Sequence, residues 1–264
     1  MSPFSLLLLL AVIQGLSEFL PISSSGHLAI AENFLPGGSE LPTGVEVEIL
    51  LHLGTLGAVL IHYRQRIARL LSGLTKTGEE GFEQRHYLLK LIIASVPAAF
   101  VGLFVFDTDS EFFNSMTLAA SGLLFTSIIL LSSKMATGEQ EQIGYLSAIL
   151  IGCAQAIAVI PGVSRSGSTI IAARHLKIAP QSAENFSFLM AIPTIGGAAI
   201  LKLPQLDLSN GLNIGSTEIA SVLILSCVVG LIALRFLHQV LHKQKLYYFA
   251  PYCGALALIV LAAA

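Results

Sequence analysis

Two apolar segments of this chain break off before they could cross a bilayer, and both break at a Ser/Gly-rich stretch. The first stretch, from Gln14 to Leu28, reads QGLSEFLPISSSGHL; the second, from Gln155 to Thr169, reads QAIAVIPGVSRSGST. They begin 141 residues apart. Both carry a leading Gln and an apolar residue (Ile22, Val163) before Ser-x-Ser-Gly, as Ser23, Ser25 and Gly26 and as Ser164, Ser166 and Gly167. Where the copies differ, they differ in chemistry: Glu18 and His27 in the first, Arg165 in the second. A duplicated hydroxyl-rich stretch with an acid and an imidazole in one copy and a guanidinium in the other reads as two halves of one polar site.

The surroundings of these stretches are those of a membrane protein. The chain is 54% hydrophobic and only 11% charged, where soluble domains carry about 25% charged residues. Apolar segments fall at about 4–20, 46–63, 87–106, 116–133, 144–160, 186–203, 217–237 and 246–264. Six of them approach the roughly 20 residues that a helix needs to cross hydrocarbon. The first and fifth instead run into the Pro/Ser/Gly breaks, with short helices expected after them at about 28–35 and 169–177. Such breaks suit re-entrant segments, tolerated at membrane depth only where protein or a wet cavity surrounds them. The expectation is an all-α polytopic membrane protein with about six full spans and two re-entrant helix-loop-helix segments. Cys153, Cys227 and Cys253 sit in apolar runs without metal-type spacing, and no basic tract suggests nucleic acid. The first residues lack a basic region and a cleavage site, so a cleaved signal peptide is not expected.

The repeat extends past the breaks, giving one membrane domain over 1–264 with repeats of about 1–135 and 142–264. Gly54-Thr-Leu-Gly57 matches Pro193-Thr-Ile-Gly196, Val101-Gly-Leu103 matches Val229-Gly-Leu231, and Gly122 matches Gly254. Loop charges add direction. Arg64, Arg66, Arg69, Lys76, Arg85 and Lys90 mark 64–90 as cytoplasmic, as do Arg174 with Lys177 and Arg235 with Lys243 and Lys245. Residues 107–114, with Asp107, Asp109 and Glu111, and 204–216, without Lys or Arg, read as external. Equivalent segments then run in opposite directions. That is an inverted-topology repeat, with both termini outside.

In such a repeat the broken segments meet near the midplane. Gln14, Glu18, Ser23, Ser24, Ser25 and His27 would face Ser164, Arg165, Ser166, Ser168 and Thr169. Helix N-termini beside an arginine and hydroxyls suit an anion such as phosphate. Arg165 at membrane depth costs at least about 2.5–3.5 kcal/mol, which makes it functional by default, although a structural pairing with Glu18 is the competing reading. Glu18 lies one helical turn after Gln14, where the two could hold a hard divalent ion, or Glu18 could orient His27. His27 suits acid-base, nucleophilic or donor work, and Ser24 is the preferred hydroxyl nucleophile, while capping and turn formation also use serine well. Glu48 is a more distant candidate, and His52, His62 and His175 read as structural.

At these residues the chain resembles the undecaprenyl-diphosphate phosphatase, or bacitracin-resistance, family. QGLSEFLPISSSGH (Gln14–His27) follows that family's (E/Q)xxxE and Ser-rich Gly-His pattern, and PGVSRSGST (Pro161–Thr169) follows its second signature. The resemblance implies hydrolysis of an isoprenyl diphosphate lipid to the monophosphate and inorganic phosphate, at the outer face of a bacterial plasma membrane, in support of cell-wall synthesis. It also implies a Mg²⁺ or Ca²⁺ cofactor, phosphate grip by Arg165 with Ser164 and Thr169, metal or proton handling by Glu18, and attack by Ser24 or His27. Position 14 is Gln where many members have Glu, so this motif alone offers no two-carboxylate metal site. A homodimer stays open. The type-2 phosphatidic acid phosphatase pattern is not met: the sixth residue after Arg165 is Ile171, where that family places His. The rival reading is a secondary transporter or flippase for a phosphorylated lipid, because broken helices in inverted repeats are also transporter architecture.

Overall fold

The computed structural model describes residues 2–34, 45–105, 110, 113, 115–202 and 215–263. Eleven α-helices account for most of these: α1 (Pro3–Phe19), α2 (Ser24–Phe34), α3 (Val45–His62), α4 (Arg64–Ser72), α5 (Glu79–Phe104), α6 (Met116–Ser132), α7 (Tyr145–Ile157), α8 (Arg165–His175), α9 (Pro180–Lys202), α10 (Ser216–His242) and α11 (Ala250–Ala263). Among the described residues, five stretches are long and apolar enough to cross a membrane: Glu79–Phe104, Met116–Met135, Pro180–Leu201, Ser216–His242 and Leu246–Ala263. The expected sixth span is α3, whose apolar part, Val47–His62, is shorter. Of the two segments expected to be external, 107–114, apart from Ser110 and Phe113, and nearly all of 204–216 lie outside the described residues.

The bundle is arranged for lipid. Large side chains such as Ile92, Val96, Phe100, Ile128, Ile224 and Ile232 are exposed on its surface, whereas Gln14, Thr126, Ser127, Gln155 and Ser226 are buried. The apolar core gathers around Phe19, Phe186 and Phe188, with the Phe19 and Phe188 rings edge to face at 5.6 Å. Helices come close through small residues. A Cβ on Gly15 of α1 would lie 2.9 Å from the Ser226 carbonyl of α10, and one on Gly152 of α7 would lie 2.4 Å from the Ala94 carbonyl of α5.

Helix order in the second half follows that in the first: a short helix, a break, a second short helix and then longer helices, with α4 present only in the first half. Packing crosses between the halves. Helix α1 packs on α10 and α7 on α5, while α3 meets α9 and α6 meets α11.

The breaks are shorter than the hydropathy suggests. Helices α2 and α8 start at Ser24 and Arg165, earlier than the expected 28 and 169, because Ser23 and Ser164 are cap residues and the motif itself forms the first helical turn. Only Leu20–Ser23 and 158–164 are non-helical. Arg174 also departs from its expected role as a loop charge. It is buried, and it donates to the carbonyls of Ala136, Gly138 and Ile178 at 3.1, 2.7 and 2.6 Å, clamping the linker between the halves onto the end of α8.

The second break depends on two glycines. Gly162 has φ +83° and a Cβ there would lie 1.9 Å from the Ala119 carbonyl; a Cβ on Gly122 would lie 2.1 Å from the Pro161 carbonyl. Gly162→Ala is therefore expected to destabilise the protein by about 2–4 kcal/mol, from left-handed strain plus overpacking. Thermal unfolding in detergent measures this, and an unchanged melting temperature would contradict the packing described.

Candidate active site

Each break is closed by the same local device. The Ser23 hydroxyl accepts from the Gly26 N–H at 3.3 Å, and the Ser164 hydroxyl accepts from the Gly167 N–H at 3.1 Å. The capping hydroxyl also lies 3.2 Å from Ser25 Oγ in the first copy and 3.3 Å from Ser166 Oγ in the second. Ser23 takes a left-handed conformation, φ 71°, to turn the chain. The breaks touch: Ser25 Oγ accepts from the Gly162 N–H at 3.4 Å, and Ser166 Oγ donates to the Leu20 carbonyl at 3.3 Å. Thr126 of α6 steadies the second break by donating to the Gly162 carbonyl and accepting from the Ser164 N–H, both at 2.9 Å.

Glu18 is the centre of what these breaks bring together. It is buried one residue before the end of α1, and its Oε1 accepts a short, direct contact from Arg165 Nη2 at the first position of α8. Its other oxygen accepts from Ser24 Oγ at 2.6 Å and from Gln14 Nε2 at 3.2 Å. His52 Nε2 of α3 stands 3.9 Å from the same oxygen, and its Nδ1 lies 2.8 Å from the Glu48 carbonyl. Arg165 thus reaches across the molecule to the acid of the other half. A carboxylate at such depth needs this company, because an unpaired buried charge costs several kcal/mol.

Among the described residues, two buried polar atoms at this cluster make no hydrogen bond: Arg165 Nη1, a donor, and Gln14 Oε1, an acceptor. Buried groups are rarely left so unless something else completes them.

His27 lies one turn beyond Ser24 on α2, yet the two side chains do not bond to each other. The imidazole Nδ1 is 2.7 Å from the Ser23 carbonyl, and Nε2 is 2.7 Å from the Tyr252 hydroxyl of α11, with the two rings stacked at 5.6 Å. Most of the remaining hydroxyls are turned inward. Thr169 Oγ1 donates to the Arg165 carbonyl at 2.8 Å and lies 2.5 Å from Ser187 Oγ, while the buried Ser168 Oγ makes no hydrogen bond. Glu18, Ser24, Gln14 and Arg165 therefore form one contact network, with His27 beside it and with Ser23, Ser164, Ser166 and Thr169 shaping its walls.

Three participants were not singled out from sequence. His52, read there as structural, stands at Glu18; an imidazole within an apolar span, one turn after Glu48, was the available signal. Tyr252 and Ser187 looked like ordinary members of apolar helices, and only the packing of α11 and α9 gives them partners.

The fold and these groups together define a polytopic helical membrane protein with a polar site buried where its two broken segments meet. The chain matches the family of bacitracin resistance protein BacA over residues 7–259, and it belongs to that family. It is similar to the undecaprenyl-diphosphatase of Syntrophotalea carbinolica, at 39% identity over 249 residues covering 93% of each chain. It is also similar to the undecaprenyl-diphosphatase of Rhodopirellula baltica, at 37% identity over 96% of this chain and 95% of that one, and to that of Methanococcus maripaludis, at 37% over 96% and 98%.

The ion pair predicts an asymmetry in stability. Arg165→Met alone leaves Glu18 buried without its countercharge and is expected to cost about 3–5 kcal/mol; Glu18→Gln with Arg165→Met removes both charges and should recover most of that loss. Thermal unfolding of the wild type, Arg165→Met, Glu18→Gln and the double variant in one detergent checks this. A double variant as unstable as the sum of its parts would mean that the two charges do not support one another.

Proposed function

We propose that this chain is an undecaprenyl-diphosphate phosphatase, releasing inorganic phosphate and leaving the isoprenyl monophosphate in the membrane. Family membership and the names of the relatives support the reaction. One geometric observation carries the assignment of residues: the Ser24 hydroxyl is already bonded to the Glu18 carboxylate at 2.6 Å, beside an Arg165 guanidinium with one nitrogen unpaired. A carrier that only moves the lipid would need no hydroxyl on a buried carboxylate, and relatives named for hydrolysis do not favour it.

The terminal phosphate of the diphosphate takes Arg165, whose planar fork suits phosphate as well as carboxylate. As the guanidinium turns from Glu18 to the phosphate, Glu18 is left to take the Ser24 proton. Ser24 Oγ forms a bond to the terminal phosphorus, and the bond to the bridging oxygen breaks, so the isoprenyl monophosphate departs. Water then attacks the phosphorus of the phosphoserine, passing one proton to His27 as the P–Oγ bond breaks; Glu18 returns its proton to Ser24 Oγ, and inorganic phosphate leaves. His27, held between the Ser23 carbonyl and Tyr252, is placed one helical turn away to relay protons.

Gln14 Oε1, buried and without a partner next to Glu18, fits an oxygen site for a hard cation, and the two residues would hold Mg²⁺ or Ca²⁺ together with substrate oxygens. Bound there, the ion would neutralise charge on the diphosphate. Ser164, Ser166, Ser168 and Thr169 shape the phosphate side, with Ser23 and Ser25 on the other wall.

The proposed setting is a bacterial inner membrane, with the site open to its outer face and the halves of opposite orientation. A membrane-impermeant reagent should label both termini in intact cells, and a cytoplasmic N-terminus would overturn that orientation.

Phosphate release from undecaprenyl diphosphate in detergent tests the chemistry. Ser24→Ala and Glu18→Gln should each lose at least about 10²-fold in turnover, and Arg165→Lys, which keeps the charge but not the fork, should lose about as much. Turnover within threefold of wild type in Ser24→Ala would remove Ser24 as nucleophile. The same result in all three would remove the site.

A further inference from the structure

Away from Glu18 and Arg165, the molecule has a second polar concavity of about 470 Å³. It lies among the end of α3, the start of α4, the start of α9 and the last third of α10. Its walls include Arg66, Arg69, Arg235, His62 and His238, with the amides of Gln181 and Asn185, and no carboxylate is among the lining residues. Loop charge reads this end as cytoplasmic.

Three guanidiniums around one opening repel one another, and a topology signal does not require them to converge. The neighbouring basic residues show the ordinary alternative. Arg64 donates to the Ile61 carbonyl at 3.0 Å, Arg85 to the carbonyls of Gly73 and Lys76 at 3.2 and 2.8 Å, and Lys76 pairs with Glu80 at 3.0 Å. Arg69 and Arg235 make no side-chain hydrogen bond or ion pair among the described residues. Arg66 is steadied by the Tyr87 ring, 4.8 Å from its guanidinium carbon. Behind the wall, the buried Glu184 holds His238 Nδ1 with Oε2 at 2.8 Å and so fixes that ring at the edge of the opening, while its Oε1 makes no hydrogen bond among the described residues.

From this geometry we infer that the opening is a second anion site, one that binds a phosphate group through Arg66, Arg69 and Arg235. Planar guanidiniums match phosphate oxygens, and cavity walls concentrate their field on an anion. The phosphate can belong to an anionic phospholipid headgroup of the adjacent leaflet or to free inorganic phosphate. Basic pockets between helices on the cytoplasmic side commonly take the former.

The test uses the full-length protein and the exposed pair Arg69→Gln/Arg235→Gln, with each single variant as a check on folding and Arg64→Gln as a control outside the opening. In one arm, inorganic phosphate is titrated calorimetrically into protein in a sugar detergent. In the other, phosphatidylglycerol retention is compared with phosphatidylcholine retention by native mass spectrometry. The double variant should weaken binding about tenfold or more in at least one arm, and Arg64→Gln should leave both unchanged. Loss in the first arm assigns the site to free phosphate; loss in the second assigns it to the lipid headgroup. Binding unchanged in both arms by the double variant overturns the inference. Because Arg165 is intact throughout, phosphate held at Glu18 and Arg165 does not change between these proteins, and failure of the hydrolysis assay would leave this result standing.

Discussion

The structure depends on one buried ion pair, between Glu18 at the end of α1 and Arg165 at the start of α8. Neither charge is tolerable alone in a bundle whose surface is apolar and whose polar groups are turned inward. Their pairing ties the end of the first broken helix to the start of the helix that follows the second break. The other oxygen of Glu18 accepts from Ser24 and Gln14, so hydrogen bonds from its own half support the pair. A buried pair is weak support for stability compared with apolar packing, and its value here is that it sets position. Contact between the breaks at Ser25–Gly162 and Leu20–Ser166 follows from the same docking.

The pair forms at the meeting point of two segments that are similar in sequence. The scaffold positions are alike: Ser23 and Ser164 both cap, Gly26 and Gly167 both supply the capped N–H, and Gln14 and Gln155 are both buried. The chemical positions diverge. Glu18 has Val159 as its counterpart, Ser24 has Arg165, and His27 has Ser168. Shared residues build the break twice, and the unshared ones make the two breaks complementary rather than redundant.

Much of this was legible in the sequence, for reasons that are local. Long apolar segments must be helices in hydrocarbon, and the ranges expected for α3, α6, α10 and α11 lie close to those observed. Arg165 and Glu18 stood out because charges at membrane depth need a reason. Helices α2 and α8 begin earlier than hydropathy indicates, because a polar serine looks like loop while its side chain caps the helix. Arg174 was read as a loop charge, and it is a buried clamp on three carbonyls; nothing in its neighbours along the chain distinguishes the two. Tyr252 joins the site through the packing of α11, which no local pattern encodes.

The immediate support of the site is mostly hydroxyl groups that never touch Glu18. Thr126 bonds to both sides of the second break, Thr169 meets Ser187, and Gly122 leaves room for the Pro161 carbonyl. A guanidinium can exchange a carboxylate for a phosphate only if the backbone carrying it stays put; otherwise part of the binding energy would go into ordering the loop. Placing Arg165 at the first turn of a capped helix, behind a break held by Thr126, confines that exchange to the side chain. In the proposed reaction, rigid breaks and a guanidinium that turns are then two requirements of the same chemistry.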